Sequence, residues 1–203
     1  RVLVVGVGNS GGEIASELAR AGVDVSVAVR SGARVVPRAM AGIPVQYMGY
    51  ILLYFPTFVM KWAMAYMGFL GRLIRGAPVL PLPPAKACSD IPLIGFHLVD
   101  AIKAGTVQVL PGIQRLDESG VFFADDSHHA FDVVLLATGY SAALQFMGPY
   151  ADRDRCGFSD RQNRITSRSH RGLYFVGHNY DMTGGLSNIR RDARLVGQAL
   201  KDA

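Results

Sequence analysis

The chain has 203 residues, of which 50% are hydrophobic and 18% are charged, a composition that can bury a core and that excludes an intrinsically disordered protein. The formal net charge of +5 favours anionic partners: nucleotide phosphates, nucleic acid or an acidic membrane surface. The two cysteines, Cys88 and Cys156, lie far apart and indicate neither a disulfide framework nor a zinc site, so a cytoplasmic location is the default expectation.

The first thirty residues have the pattern of a β-α-β unit. An apolar, β-branched run at Arg1–Val5 predicts a strand, and apolar residues at helical spacing follow it. Ser10 and Glu13 have the spacing of a capping box, and Gly22 stands where a helix C-terminal glycine belongs, before a second strand at 24–29. Such units predict an α/β, Rossmann-like fold, a doubly wound parallel sheet with helices on both faces.

A Gly-x-Gly-x-x-Gly turn joins the first strand to the helix. Gly6 would permit the tight turn, Gly8 would let a pyrophosphate approach the backbone, and Gly11 would let the helix pack closely on the strand. The helix N-terminus supplies unpaired N–H donors for an anion. The pattern therefore predicts a dinucleotide site, with a purely structural glycine turn as the alternative.

The residue at the end of the second strand predicts which dinucleotide binds. NAD-preferring units usually carry an acid there for the ribose 2′-hydroxyl, but this chain has Arg30-Ser31. A guanidinium can pair with a 2′-phosphate, and Arg34 and Arg38 add positive potential nearby. The sequence thus favours NADPH over NADH, the alternative being a solvated surface arginine.

Residues 39–75 form the most apolar region of the chain. Prolines and glycines interrupt it, so we predict two helices and no membrane span. They would pack in the core, cap a substrate channel, or make peripheral membrane contact through residues 47–74. A proline-rich loop at 77–85 follows.

The rest of the chain reads as short strands with two helices. Mixed charges at Asp152–Arg155 and Arg190–Arg194 are typical of a solvated surface. The predicted elements are a helix at 98–104, strands at 107–110, 120–124 and 133–137, a polar turn at 125–129 that makes the last two a short β-meander, a strand at 172–178, and a final helix that begins at the Thr183-Gly184-Gly185 turn.

Six segments in order resemble flavin-containing monooxygenases, and in particular the branch that includes plant indole-3-pyruvate monooxygenases. The resemblance covers nearly the whole chain. It implies an NADPH-binding domain at 1–131, inserted into a FAD-binding domain whose C-terminal segment returns at 132–203. The segments are Gly6–Glu13, Val29-Arg30, Pro37-Arg38, Leu110–Ile113, Ala137–Tyr140 and Gly172–Gly177.

The resemblance also implies an activity and a set of cofactor-binding residues. The intact protein would be an NADPH- and FAD-dependent monooxygenase that oxygenates a small organic substrate through a flavin C4a-hydroperoxide. The family's FAD fingerprint would precede Arg1, so we expect the chain to be part of a longer protein. The implied cofactor residues are Gly6, Gly8, Asn9, Ser10, Gly11, Arg30, Ser31 and Arg38 for NADPH, Ala137, Thr138, Gly139 and Tyr140 beside both cofactors, and Gly177 and Gly185 beside the flavin.

Three other functions compete with this interpretation. Pyridine nucleotide–disulfide reductases share the architecture but need a redox-active cysteine pair. The absence of Cys-x-x-Cys here removes the thioredoxin-reductase type, whose pair lies in the NADPH domain, but not types whose pair lies upstream. A non-catalytic NADPH-binding module would keep the glycine turn without oxygen chemistry. Nucleic-acid binding is disfavoured because the basic residues are scattered. No side chain is predicted to be catalytic, because the flavin performs the chemistry, and no metal is expected.

Overall fold

The computed structural model describes residues 1–40, 42–45, 47–48, 55–56, 58–59, 62, 65–66, 68–69, 76–83, 92–179 and 183–201. Two compact units make up the chain. The first comprises Arg1–Met40 and Met64–Gly139, and the second comprises Ala41–Ala63 and Tyr140–Ala203.

The elements of both units follow in chain order. They are β1 (Val2–Val5), α1 (Asn9–Arg20), β2 (Val25–Val29), β3 (Val35–Val36), β4 (Ala39–Met40), β5 (Ile43–Pro44), β6 (Leu93–Ile94), α2 (His97–Lys103), β7 (Val107–Pro111), β8 (Ile113–Asp117), β9 (Gly120–Phe123), β10 (His128–His129), β11 (Val133–Leu136), a 3₁₀ turn (Gln145–Tyr150) and α3 (Gly185–Lys201).

A four-stranded parallel sheet in the order β11-β1-β2-β7 is the centre of the first unit. Neighbouring residues of β1 point to opposite faces of this sheet, as the period of a strand requires. Val4 packs in one core with Ala15 of α1 and Leu98 of α2, whereas Leu3 packs in a second core with Phe123 of β9. The sheet is therefore covered by helices on one face and by the antiparallel sheet β10-β9-β8 on the other.

This layering confirms the parallel α/β fold, and it corrects the prediction of helices on both faces. Within the described part of the first unit, the second face is buried by strand residues such as Val121 and Phe123. A short β-meander is present, but it is β8-β9-β10; β11 pairs with β1, so the predicted pairing of the strands at 120–124 and 133–137 is wrong. The meander also has an extra strand, β8, and places His128 and His129 in a strand instead of a turn.

The helix α1 ends as predicted but begins differently. At its C-terminus Gly22 has φ +80°, its N–H donates to Ala19, and the N–H of Val23 donates to Leu18, which together form a Schellman motif. At its N-terminus the N-cap is Gly8 and no side chain caps the helix, so the predicted capping box of Ser10 and Glu13 is wrong.

The second unit has little regular structure besides α3. Its small apolar core contains Leu144, Ala151 and Phe175. The predicted strand at 172–178 is wrong, since only an isolated bridge between Thr166 and Tyr174 forms there. The final helix is confirmed as α3.

The two helices predicted within residues 39–75 lie largely outside the described residues. Positions 58–59, 62, 65–66 and 68–69 are helical, whereas Ala39–Met40 and Ile43–Pro44 form a two-stranded sheet. Among the helices that are described, none has the length and apolar composition to cross a bilayer.

The compact units do not divide at residue 131. Because β11 pairs with β1 in parallel, the first unit continues to Gly139, and residues 41–63 belong to the second.

Candidate nucleotide-binding site

The glycine turn lies at the topological switch point of the parallel sheet. From β1 the chain proceeds to β2 and β7 on one side, whereas β11 lies on the other side of β1. In open α/β sheets, ligands bind outside the carboxyl ends of the strands at such a point. Here the carboxyl ends of β1 and β11 lead into Gly6 and Ala137, and the N–H of Ala137 donates to the carbonyl of Val5 at 2.9 Å.

The three glycines of the turn have three different surroundings, which match the predicted roles. Gly6 has φ +104°, and a Cβ on it would lie 2.5 Å from the carbonyl oxygen of Ala137. A Cβ on Gly11 would overlap the carbonyl oxygen of Gly6. A Cβ on Gly8, in contrast, would meet nothing within 4 Å. Gly6 and Gly11 are thus required by close backbone packing, and Gly8 borders open space.

The open space beside Gly8 is also where α1 presents its N–H groups. The first hydrogen bond of the helix runs from the N–H of Gly12 to the carbonyl of Gly8 at 2.9 Å. The N–H groups of Asn9, Ser10 and Gly11 therefore have no acceptor within α1. Together with the positive end of the helix dipole, they form a site that fits a pyrophosphate.

Asn9 offers this site its backbone N–H, while its side chain is hydrogen-bonded to residues 92 and 94. Its side-chain Oδ1 accepts a hydrogen bond from the N–H of Ile94 at 2.8 Å, and its Nδ2 donates to the carbonyl of Pro92 at 3.2 Å. Ser10, the next residue, is solvent-exposed.

The basic residues after β2 are exposed and held by close backbone packing. A Cβ on Gly112 would lie 3.3 Å from the Cα of Arg30, so the chain after β7 packs directly against Arg30. Gly32 has φ +83°, and a Cβ on it would overlap the carbonyl oxygen of Pro81. Arg30 and Ser31 are exposed, and none of the described acidic residues forms a salt bridge with Arg30.

The remaining predicted cofactor residues are distributed over both units. Ala137 lies against Gly6, whereas Thr138 and Gly139, with φ +92° at the glycine, end the first unit. Tyr140 begins the second unit and is 97% exposed. Arg38 lies exposed between β3 and β4. Gly177 and Gly185 belong to the second unit.

A buried carboxylate in the second unit, that of Asp192 in α3, escaped the sequence analysis. Asp192 is fully buried, so the prediction of a solvated surface at 190–194 is wrong for this residue. Its Oδ1 accepts from Nε of Arg164 at 2.6 Å, and its Oδ2 accepts from the N–H of Gly177 at 3.0 Å and from Nδ2 of Asn179 at 2.9 Å. Burial opposes ionisation of Asp192, but these hydrogen bonds outweigh it, and the pKa of the carboxyl is lowered.

The Asp192 network holds the turn at Gly177–Asn179 from one side, and Ser159 holds it from the other. The N–H of Ser159 donates to Nδ1 of His178 at 3.3 Å, and its hydroxyl lies 3.1 Å from the same atom. Burial and the neighbouring charge of Arg161 lower the pKa of His178, so its imidazole is neutral at pH 7. A Cβ on Gly177 would lie 3.0 Å from Cγ1 of Ile189, which shows how tightly the turn packs on α3.

Comparison with known proteins shows which family the chain resembles. A model of flavin-binding monooxygenase-like proteins matches residues 1–152. The chain is 32% identical to indole-3-pyruvate monooxygenase YUCCA4 of Oryza sativa subsp. japonica, an alignment that covers 98% of this chain and 46% of that protein. The chain thus spans about half the length of the curated relatives it matches.

Solved structures agree in fold. The flavin-containing monooxygenase of Stenotrophomonas maltophilia superposes with a TM-score of 0.58 at 17% identity, over 99% of this chain and 49% of that one. Cyclohexanone monooxygenase of Rhodococcus sp. Phi1, bound to NADP+, superposes with a TM-score of 0.59 at 15% identity, over 99% of this chain and 52% of that one. Because the family model covers more than half of the sequence, the chain belongs to the flavin-binding monooxygenase-like family.

Proposed function

We propose that the chain is the NADPH-binding part, with a returning segment of the flavin domain, of a monooxygenase that uses NADPH and FAD to oxygenate a small organic substrate. The observation that carries the proposal is the glycine turn at the switch point. Close packing requires Gly6 and Gly11, and Gly8 faces open space beside the free N–H groups of α1.

The arrangement around this turn suggests how NADPH is held. The pyrophosphate would lie at the N-terminus of α1, beside Gly8, Asn9, Ser10 and Gly11. Arg30 and Ser31 at the end of β2 would meet the 2′-phosphate, with Arg38 adding positive potential. The sequence contains no acidic residue between Asp24 and Asp90, so no carboxylate in that stretch would repel the phosphate or favour NADH.

The family membership suggests the chemistry, which belongs to the cofactor. When bound, FAD accepts a hydride from NADPH and activates molecular oxygen. The residues of this chain would bind, orient and exclude water. Ala137, Thr138, Gly139 and Tyr140 would border both cofactors, and Gly177 and Gly185 would lie beside the flavin. The division into an NADPH-binding domain at 1–131 and a flavin-domain segment at 132–203 is part of this proposal.

Rapid mixing of the FAD-loaded, full-length protein with NADPH or NADH tests the proposal. We expect faster flavin reduction by NADPH, followed by consumption of oxygen. Arg30→Ala should slow flavin reduction at limiting NADPH concentration. The matched control Arg20→Ala, at the C-terminal end of α1 and away from the glycine turn, should not. Nucleotide binding without oxygen consumption would instead favour a non-catalytic NADPH-binding module.

We also propose that the aromatic residues between positions 58 and 69 contact an anionic membrane surface. Phe58, Trp62, Tyr66 and Phe69 are 62–77% exposed. In the sequence they recur at intervals of four, four and three, which is the spacing of one face of a helix. Aromatic rings are favoured at membrane interfaces, and basic residues, here Lys61, Arg72 and Arg75, attract anionic lipids.

Sedimentation of the full-length protein with vesicles tests this contact. We expect binding to vesicles that contain phosphatidylserine, weaker binding to pure phosphatidylcholine, and loss of binding when Trp62 and Tyr66 are both replaced by serine. If the wild type and the double variant are recovered equally in the supernatant, the proposed membrane contact is contradicted.

A further inference from the structure

We propose that Asn9, a residue of the glycine turn, strengthens the preference for NADPH by positioning the arginine-bearing segment 34–38, and does not bind the nucleotide through its side chain. The inference rests on the proposed function, since it assumes that the turn binds a pyridine nucleotide. It assigns to Asn9 a positioning role that neither the glycine motif nor the family membership predicts.

The carboxamide of Asn9 is hydrogen-bonded through both its oxygen and its nitrogen to the segment that contains β6, some 85 residues away in sequence. The N–H of Ile94 donates to Oδ1 at 2.8 Å, and Nδ2 donates to the carbonyl of Pro92 at 3.2 Å. One side chain thus satisfies a donor and an acceptor on either side of Leu93. Only an amide supplies both functions in this geometry.

A second contact joins the same two segments. A Cβ on Gly12 would lie 2.6 Å from Cδ1 of Leu93, so the leucine side chain lies directly on the first turn of α1. Leu93 is 3% exposed and belongs to the larger core of the first unit. The strand β6 is therefore fixed to the start of α1 by hydrogen bonds and by packing.

The strand β6 in turn holds the segment that carries the arginines. The N–H of Leu93 donates to the carbonyl of Arg34 at 2.8 Å, and the N–H of Gly95 donates to the carbonyl of Val36 at 2.8 Å. In the described part of the chain, β3 pairs in a sheet with β6 alone. A two-stranded pair of this length is marginal by itself, so its position depends on what anchors it.

Asn9 supplies the hydrogen bonds of this anchor, so its loss should affect the binding of the 2′-phosphate. Arg34 precedes β3 and Arg38 follows it, and both are exposed. Displacing β6 would displace the backbone of both arginines relative to the end of β2. NADPH carries a phosphate there and NADH does not, so a loss of positioning weakens NADPH selectively.

The test compares dissociation constants of NADPH and NADH for the wild-type chain, Asn9→Ala, Asn9→Asp and the control Glu17→Ala, an exposed residue of α1. We expect Asn9→Ala to raise the dissociation constant of NADPH about three- to tenfold more than that of NADH, as the loss of two neutral hydrogen bonds allows. Asn9→Asp keeps the acceptor for Ile94 and loses the donor to Pro92. Its new charge weakens both nucleotides alike, so the ratio still reports the positioning if Asn9→Ala does not fold.

Two results would overturn the inference. An equal rise for both nucleotides would mean that Asn9 contacts the shared pyrophosphate, and an unchanged ratio with a lowered melting temperature would mean that its role is structural only. The failure of the proposed function is distinguishable, because the wild-type chain itself would then show no preference for NADPH.

Discussion

Replacing Asp192 by alanine should destabilise the second unit more than any substitution of an exposed acid. Asp192 is fully buried, and the side chain of Arg164, its partner at 2.6 Å, is only 23% exposed. The substitution would remove the carboxylate acceptor of this guanidinium and one acceptor each from the N–H of Gly177 and the amide of Asn179. Breaking a buried ion pair by removing one partner costs about 3–5 kcal/mol.

The assay is thermal unfolding combined with hydrogen exchange of α3. In a chain of this length, a loss of this size lowers the melting temperature by roughly 6–20 °C, and exchange of the α3 amides should accelerate by two or more powers of ten. Asp192→Asn keeps the shape of the side chain and one of its oxygen atoms, so we expect a smaller decrease in melting temperature than for Asp192→Ala. Asp152→Ala, in the same unit but exposed, is the matched control and should stay within about 0.5 kcal/mol of the wild type.

The double variant Arg164→Leu, Asp192→Leu separates the pair from its surroundings. Because no unpaired charge remains, it should be more stable than Asp192→Ala. Two results would refute the account of Asp192 as the acceptor that holds the turn at Gly177–Asn179. One is a melting temperature of Asp192→Ala equal to that of the wild type, and the other is a double variant no more stable than Asp192→Ala.

Further predictions concern the glycines and His178. Gly11→Ala should destabilise the first unit by roughly 1–3 kcal/mol in thermal unfolding, because its Cβ would overlap the carbonyl of Gly6. Gly8→Ala should leave the stability unchanged and should weaken the binding of NADPH and NADH equally in a titration. The reverse pattern would contradict the roles assigned to the two glycines. Gly32→Ala, strained at φ +83° and against Pro81, should weaken NADPH more than NADH, and an unchanged ratio would remove this turn from the 2′-phosphate site. The pKa of His178 in the folded chain lies below its ordinary value of 6.5, so the unfolded chain binds a proton more readily as the pH falls. The free energy of unfolding should therefore decrease as the pH falls below 6.5. Urea unfolding between pH 8 and 5.5 measures this decrease, which should be absent in His178→Phe.

The elements of the nucleotide site are predictable because their signals are local. The glycine turn, the β-branched strands and the Schellman glycine Gly22 each depend on a few consecutive residues. The capping box is absent because α1 begins earlier than predicted: Gly8 is the N-cap, so Ser10 already lies inside the first turn and is not at the position from which a side chain caps the helix.

The features that sequence did not predict depend on contacts between distant residues. Asp192 stands in an Arg-Arg-Asp-Ala-Arg run that resembles a solvated surface. Its burial is made favourable by donors that are distant in sequence, Arg164, Gly177 and Asn179. The apolar run at 172–178 has the composition of a strand, but Phe175 packs in a small core, and among the described residues the run makes only the isolated bridge of Tyr174 with Thr166. Likewise, alternation predicted β9 but not that Phe123 would cover the parallel sheet.

The central claim is that the glycine turn binds a pyridine nucleotide and that Arg30 makes it prefer NADPH. Titration of the chain and of Arg30→Ala with NADPH and NADH tests it most directly. A charge-assisted hydrogen bond contributes about 1.5–3 kcal/mol, so the wild-type preference for NADPH should fall roughly tenfold to a hundredfold in the variant. Equal affinity of the wild-type chain for both nucleotides, or no binding of either, would contradict the account.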